Sequence, residues 1–135
     1  MKFAVFLEKD DGTDFGVSVP DLPGCFSAGS TIEEAFENAE EAILTHIEGL
    51  MMDGEEVPFP RKIDELKVIN PNVNYVWGIV SVDMGKLSKE IKRINITIPE
   101  NVLSKIDAFA QKEGESRSGF LASAAIEYIA QHSQA

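Results

Sequence analysis

The stretch Lys92-Arg93-Ile94-Asn95-Ile96-Thr97-Ile98-Pro99 decides the fold of the last third of this chain. Apolar and polar residues alternate strictly along it, which is typical of a β-strand with one apolar and one polar face. The proline then stops strand pairing and favours the first turn of a helix. Because a single strand needs a partner, we expect it to pair antiparallel with the same strand of a second copy. The expected dimer core contains three isoleucines from each copy: Ile94, Ile96 and Ile98.

The polar face of this strand carries Arg93, Asn95 and Thr97. These residue types suit base edges in a major groove, because Arg pairs with guanine, Asn with adenine, and Thr with either edge or a thymine methyl group. Two such strands, related by a two-fold axis, are expected to read an inverted repeat in operator DNA. An alternative stays open, in which the polar face of a plain dimerisation strand only meets water.

Two helical stretches follow the strand, separated at Gly114, and the second opens with Ser116-Arg117-Ser118. Over residues 93–135 this order resembles the ribbon-helix-helix family of bacterial repressors. Ser116 is the predicted N-cap of the second helix, and free N–H groups at a helix N-terminus bind phosphate well. The predicted phosphate-binding residues are Lys92, Ser116, Arg117 and Ser118.

Composition and charge divide the chain unevenly. The net charge is −11 and the hydrophobic fraction is 44%, which is enough for a packed core. Residues 1–92 contain 8 basic and 18 acidic residues, whereas residues 93–135 contain 4 and 5. An acidic first part is a poor DNA binder and favours a basic partner. We expect a first domain at 1–85, a linker at 86–92 and a DNA-binding domain at 93–135.

The pattern of the first domain predicts strands near residues 2–8, 15–19 and 25–28, then a long helix, then a buried strand at 75–83. Ser30 and Glu33 fit a capping box at the start of the helix. The predicted fold class is α+β, with a β-β-β-α-β domain followed by a β-α-α dimerisation domain. Since one helix covers one face of a sheet, we expect Ala4 and Phe6 on the other face to need a second subunit or a partner.

The first 85 residues also resemble the HicB antitoxin family. The resemblance rests on Asp11-Gly12, on the turn from Val19 to Cys25 (VPDLPGC) and on the helix start from Gly29 to Ala35 (GSTIEEA). It implies a partial ribonuclease-H-like fold without activity, and a HicA-like toxin as partner, a small basic ribonuclease that cuts messenger RNA. Acidic residues are the candidates for facing such a toxin: Asp10, Asp11, Asp14, Glu33, Glu37 and Glu40. As surface residues, the same acids also serve solubility alone.

We predict no catalysis, no cofactor and no metal site. Cys25 is the single cysteine and fits a small core residue in a reducing cytosol. Neither histidine has a recognisable nucleophile partner by spacing, and no apolar stretch reaches the length of a membrane span or a signal peptide. The sequence predicts a cytoplasmic antitoxin that represses its own operon as a homodimer, with higher assembly left open. The alternative is a stand-alone repressor whose first domain senses a ligand or another protein.

Overall fold

The computed structural model describes residues 1–87 and 91–133, and contacts divide the chain into two compact units. One unit is Lys2–Val82, and the other contains the described residues from Asp83 onward together with Met1. Residues 88–90 of the predicted linker lie outside the described residues. The functional domain bounds of the sequence analysis stay a prediction.

The unit Lys2–Val82 contains an antiparallel sheet in the order β3-β2-β1-β4. Its strands are β1 (Lys2–Glu8), β2 (Phe15–Ser18), β3 (Phe26–Gly29) and β4 (Val76–Ser81), and its helices are α1 (Ile32–Met52) and α2 (Ile63–Ile69). The predicted order β-β-β-α-β is therefore found, and the sequence pattern at 61–68, which favours a short helix, corresponds to α2. A partial ribonuclease-H-like classification of this unit stays a prediction.

Helix α1 covers one face of the sheet with a stripe of small and branched side chains, namely the buried residues Ala35, Ala39, Ile43 and Ile47. Two glycines allow the close approach. A Cβ atom at Gly29 would lie 2.4 Å from the backbone nitrogen of Ala35, and one at Gly78 would lie 2.6 Å from Cζ of Phe36. The helix therefore packs directly against the backbone of β3 and β4.

The N-terminus of α1 differs from the predicted capping box by one residue. The N-cap is Thr31, whose Oγ1 accepts a hydrogen bond from the Glu34 backbone N–H at 3.1 Å. Ser30 instead donates its hydroxyl to the Glu34 carboxylate at 2.9 Å. Ser30 and Thr31 are both good caps, and the helix begins only at Ile32, so the later residue takes the position.

On the sheet face opposite α1, Ala4 and Phe6 are covered within the single chain, which corrects the expectation for these two residues. Both residues are buried. The ring of Phe6 stacks on Tyr75 with ring centroids 4.1 Å apart, and Trp77 lies against it at 5.1 Å. The prediction was wrong for Phe6 because Tyr75, just before β4, and Trp77, within β4, cover it with two aromatic rings.

Strand β4 is also less buried than predicted. It lies at the edge of the sheet, beside β1 only, and its register pairs Ala4 with Ile79 and Phe6 with Trp77. Ile79 is 56% exposed and Val76 is 52% exposed. An apolar edge strand of this kind is available for contact with another chain.

The second unit contains a short 3₁₀ helix (Met84–Lys86), α3 (Glu100–Lys112) and α4 (Arg117–His132). The predicted helix pair is confirmed, and Gly114 between the helices has φ +72°, a conformation that favours glycine. Pro99 is the N-cap of α3 rather than its first helical residue. Within the described residues, no helix is long and apolar enough to cross a membrane.

Candidate nucleic-acid and protein interfaces

The predicted DNA-reading strand has no regular secondary structure in the single chain, over residues 91–99. Arg93, Asn95 and Thr97 are exposed there, together with the apolar residues Ile94 (70% exposed) and Ile96 (57% exposed). Ile98 is half-buried. Strand pairing between two copies is therefore not contained in the structure of one chain, and it stays a prediction.

Helices α3 and α4 expose further large apolar side chains. Phe109 packs edge-to-face against Phe120 at 5.5 Å between ring centroids, yet half of its surface is exposed. The other exposed apolar side chains of these helices are Val102, Tyr128 and Ile129. A unit that leaves so much apolar surface uncovered is typical of one side of a protein interface.

The N-terminus of α4 is capped as predicted, and it also holds a carboxylate. Ser116 is the N-cap, and its Oγ accepts a hydrogen bond from the Gly119 backbone N–H at 3.0 Å. The Ser116 backbone N–H donates to Oδ2 of Asp83 at 3.2 Å, and its hydroxyl donates to Oδ1 at 3.1 Å. The sequence gives no signal for this contact, because 33 residues separate the two side chains.

Arg117, a predicted phosphate-binding residue, is paired with Asp107 of α3. Its Nε donates to Oδ1 at 2.9 Å and its Nη2 donates to Oδ2 at 2.8 Å, so the pair has bidentate geometry. The hydrogen bond from Arg117 lowers the pKa of Asp107, with the charge of Arg117 adding to the effect. Ser118 and Lys92 are exposed.

The acidic residues of the first unit fall into two places. Asp10, Asp11 and Asp14 lie exposed in the turn between β1 and β2, where Thr13 donates its hydroxyl to the Asp10 carbonyl at 2.7 Å. The structure does not bring these carboxylates into a metal site, since the described residues contain no group of three or more potential ligands that fits a metal ion.

Glu33, Glu37 and Glu40 lie on α1, and two of them border a groove. The groove runs between α1 and the edge strand β4, and its residues are Phe36, Glu37, Glu40, Ile79, Val80 and Ser81. Phe36 gives it an apolar part, and the two glutamates give it an acidic rim, whereas the register with Ala4 places the Ile79 side chain on the other face of β4. Glu33 is exposed in the first turn of α1, outside this groove.

Asp21 has a structural role that the sequence did not reveal. Its carboxylate is buried and accepts hydrogen bonds from the Arg61 backbone N–H at 2.9 Å and from Arg61 Nε at 2.7 Å. The contact fixes the turn that contains Gly24 (φ +86°) to the segment before α2. The turn therefore carries a structural ion pair within the resemblance motif.

Cys25 and His46 line the same surface pocket, which spacing in the sequence could not show. Cys25 is buried, and burial raises the pKa of its thiol. A raised pKa keeps the sulfur protonated, whereas a nucleophile needs the thiolate. The arrangement therefore favours a core cysteine over covalent catalysis.

Together these features define a two-unit mixed α/β protein, with an acidic sheet-and-helix unit and a helical unit that exposes an apolar face. Residues 3–125 match the family described as the HicB-like antitoxin of bacterial toxin–antitoxin systems. The chain belongs to this family.

Two similar proteins match nearly the whole chain. An uncharacterised 14.9 kDa protein from the rep–hol intergenic region of Haemophilus phage HP1 is 42% identical over 124 residues, covering 90% of this chain and 92% of that protein. The crystal structure of the Burkholderia pseudomallei antitoxin HicB is 45% identical, with a TM-score of 0.72, covering 96% of this chain and 98% of that one.

A second similar structure is a HicA3 and HicB3 toxin–antitoxin complex. The matching chain is 35% identical, with a TM-score of 0.52, and the match covers 62% of this chain and 99% of that chain. The antitoxin role predicted from the sequence is supported at the level of the family.

Proposed function

We propose that this chain neutralises a small, basic, HicA-like toxin through residues 1–85 and represses its own operon by binding operator DNA as a dimer through residues 93–135. Family membership supports the antitoxin half. The observation that supports the DNA-binding half is the segment 91–99, where alternating isoleucines and polar side chains all lie uncovered or half-covered in the single chain.

Pairing of two such segments would bury the isoleucines and leave the polar side chains exposed on one face. Antiparallel pairing gives the backbone N–H and C=O groups their partners, and the isoleucines of both copies then face the apolar residues of α3 and α4. The polar side chains face outward as a two-stranded ribbon, the element that the major groove admits. A homodimer is therefore the proposed DNA-binding state, and the proposed operator is an inverted repeat.

The substitution Arg93→Ala tests the base-reading part. It should weaken binding to the operator by about 1–3 kcal/mol and relax specificity at one base position in each half-site. Binding is measured by fluorescence anisotropy on the operator and on single-base variants, with Lys105→Ala on α3 as the matched loss of one charge. Equal affinity of Arg93→Ala and wild type would exclude a base-reading role.

The groove between α1 and β4 is the proposed toxin surface. A basic partner is attracted to an acidic rim, and Ile79, on the other face of the same edge strand, offers exposed apolar surface to a partner that wraps the edge. The edge strand adds a second means of recognition, because a partner strand can pair with its outer side. The groove combines acidic and apolar residues, whereas Asp10, Asp11 and Asp14 form an exposed acidic turn, so the groove is the better-supported place.

Capture and rescue test the antitoxin proposal. The full chain, tagged and incubated with native lysate, should retain a small basic protein that stops growth when it is expressed alone and is tolerated when this chain is co-expressed. Glu37→Lys combined with Ile79→Lys should abolish that rescue, whereas Asp10→Lys combined with Asp11→Lys should leave it largely intact. If only the variant with Asp10→Lys and Asp11→Lys loses rescue, the toxin binds at the turn between β1 and β2 and not at the groove.

Recovery of no growth-inhibiting protein would argue against the antitoxin proposal. The DNA-binding half would then stand alone, as a repressor whose first unit senses a ligand or another protein. Binding of the full chain to its own upstream DNA then tests the repressor function, because both readings require it and a plain toxin-binding module does not.

A further inference from the structure

We infer that the carboxylate of Asp83 occupies the phosphate position of the DNA-binding unit, so that this chain inhibits its own operator binding until Asp83 leaves. The inference rests on the proposed DNA-binding function. Asp83 and α4 belong to the same compact unit, and the contact is formed within one chain.

The geometry of the contact is that of an anion at a helix N-terminus. Ser116 presents two donors, its backbone N–H and its hydroxyl, and both reach oxygens of the Asp83 carboxylate, at 3.2 and 3.1 Å. These are donors that a DNA phosphate would use at the same helix end. The Asp83 carboxylate and a DNA phosphate cannot accept these two hydrogen bonds at the same time. Because both groups are anions, they also repel each other when they are this close.

The surroundings of the contact are shaped to hold Asp83. The carboxylate Oδ1 also accepts the Gly85 backbone N–H at 2.9 Å, which closes the short 3₁₀ helix around it. A Cβ atom at Gly119 would lie 1.9 Å from Oδ1 of Asp83, and one at Gly85 would lie 2.2 Å from Oγ of Ser116. Only residues without a side chain allow the 3₁₀ helix and α4 to approach this closely.

Arg117, the basic residue at the N-terminus of α4, is also paired within the chain. Arg117 is held by both carboxylate oxygens of Asp107. In the closed form described here, Asp83 and Asp107 therefore engage Ser116 and Arg117, two of the four residues predicted to bind phosphate. DNA binding must exchange at least the Asp83 contact for a phosphate contact.

The experiment compares variants that open the contact with and without a change of charge. Asp83→Ala removes the competing anion. Gly85→Ala keeps every charge and places a methyl group against Ser116, which disfavours only the closed form, because Gly85 leaves together with Asp83. Glu127→Gln, elsewhere on α4, removes one negative charge without touching the contact and serves as the charge control.

Affinity is measured on a duplex that covers the DNA upstream of the chain's own coding sequence, at fixed salt. Asp83→Ala and Gly85→Ala should each bind on the order of fivefold more tightly per subunit, the factor typical of one side-chain helix cap. Glu127→Gln should change affinity by less than about twofold, as expected for a single exposed charge. Amide hydrogen exchange at Ser116, without DNA, should become faster in both opening variants.

Each outcome decides the matter. DNA binding by the opening variants with weak or no binding by wild type supports the inference most strongly. Equal binding by wild type and Gly85→Ala, with Asp83→Ala no better than Glu127→Gln, overturns the inference and leaves the proposed function standing. Absence of binding by every variant overturns both, since the helix end is then no phosphate site.

Discussion

The two units of this chain differ in how much of their apolar surface they bury within a single chain. Lys2–Val82 closes its own core, with Phe3, Leu7, Ile43 and Ile47 fully buried between sheet and helix. The unit that follows buries only a few apolar side chains and leaves isoleucines, Phe109 and Tyr128 exposed. The comparison teaches that the first unit carries its stability within one chain, whereas the proposed dimer would supply much of the stability of the second, so we expect the folding of the second unit to depend on concentration.

The largest expected effect concerns the association surface. Ile96→Asp would place one charge in each copy at the centre of the proposed ribbon, facing the other subunit's core, and should abolish dimerisation and operator binding. Analytical ultracentrifugation measures the dimer. Val73→Asp, at a residue 99% exposed in the first unit, is the control and should leave the dimer intact. A stable dimer of Ile96→Asp would show that the second unit does not depend on pairing through this strand.

A core deletion in the first unit should act on that unit alone. Ile43→Ala removes a fully buried side chain of α1 and should lower the free energy of unfolding by about 3 kcal/mol, without dependence on protein concentration. Denaturant unfolding at two concentrations measures it. Ile32→Ala, on the same helix but 42% exposed, should cost less than about 1 kcal/mol. A concentration-dependent loss in Ile43→Ala would mean that the first unit is also stabilised by association.

The ion pair between Asp21 and Arg61 should contribute less to the free energy of unfolding than the buried side chain of Ile43. Asp21→Ala leaves the Arg61 backbone N–H and guanidinium without their partner, and should cost about 1–3 kcal/mol. Thermal unfolding compares it with Asp64→Ala, which removes an acidic residue from the exposed first turn of α2. Equal unfolding temperatures of the two variants would make the Asp21 contact energetically neutral.

The smallest expected effect concerns the reactivity of the Cys25 thiol. Because burial raises the pKa of the Cys25 thiol, the fraction of thiolate at pH 8 is reduced and its access to reagents is limited. Iodoacetamide should modify Cys25 at least about tenfold more slowly than free cysteine, with full reactivity restored in denaturant. Rapid modification of the native protein, followed by mass spectrometry, would show that the core around Cys25 opens readily.

Local patterns predicted most elements of this fold. Alternation at Phe3, Val5 and Leu7 predicted β1, and helical spacing along Ala35, Ala39 and Ile43 predicted α1, because these signals depend on the period of each element. The separation of α3 and α4 at Gly114 and the cap at Ser116 followed from residue chemistry at single positions.

The features that sequence reasoning missed depend on distant contacts or on competition between neighbours. Tyr75 and Trp77 cover Phe6 across the sheet, and Asp83 reaches Ser116 over 33 residues, so no local period contains either contact. The cap of α1 was misplaced because Ser30 and Thr31 are chemically almost equivalent. The base-reading and toxin-facing residues stay predictions, since their test requires DNA and a partner chain.

The unpaired segment at 91–99 has a consequence for the lifetime of the chain. Lys92 and Arg93 lie there on exposed backbone without regular structure, which is the kind of substrate that a trypsin-like protease cuts. Pairing into a ribbon would hold the same backbone in an extended ladder and slow its cleavage. A dilute population would therefore be cut ahead of α3, within its second unit, sooner than a concentrated one, and turnover itself would report how many copies are paired.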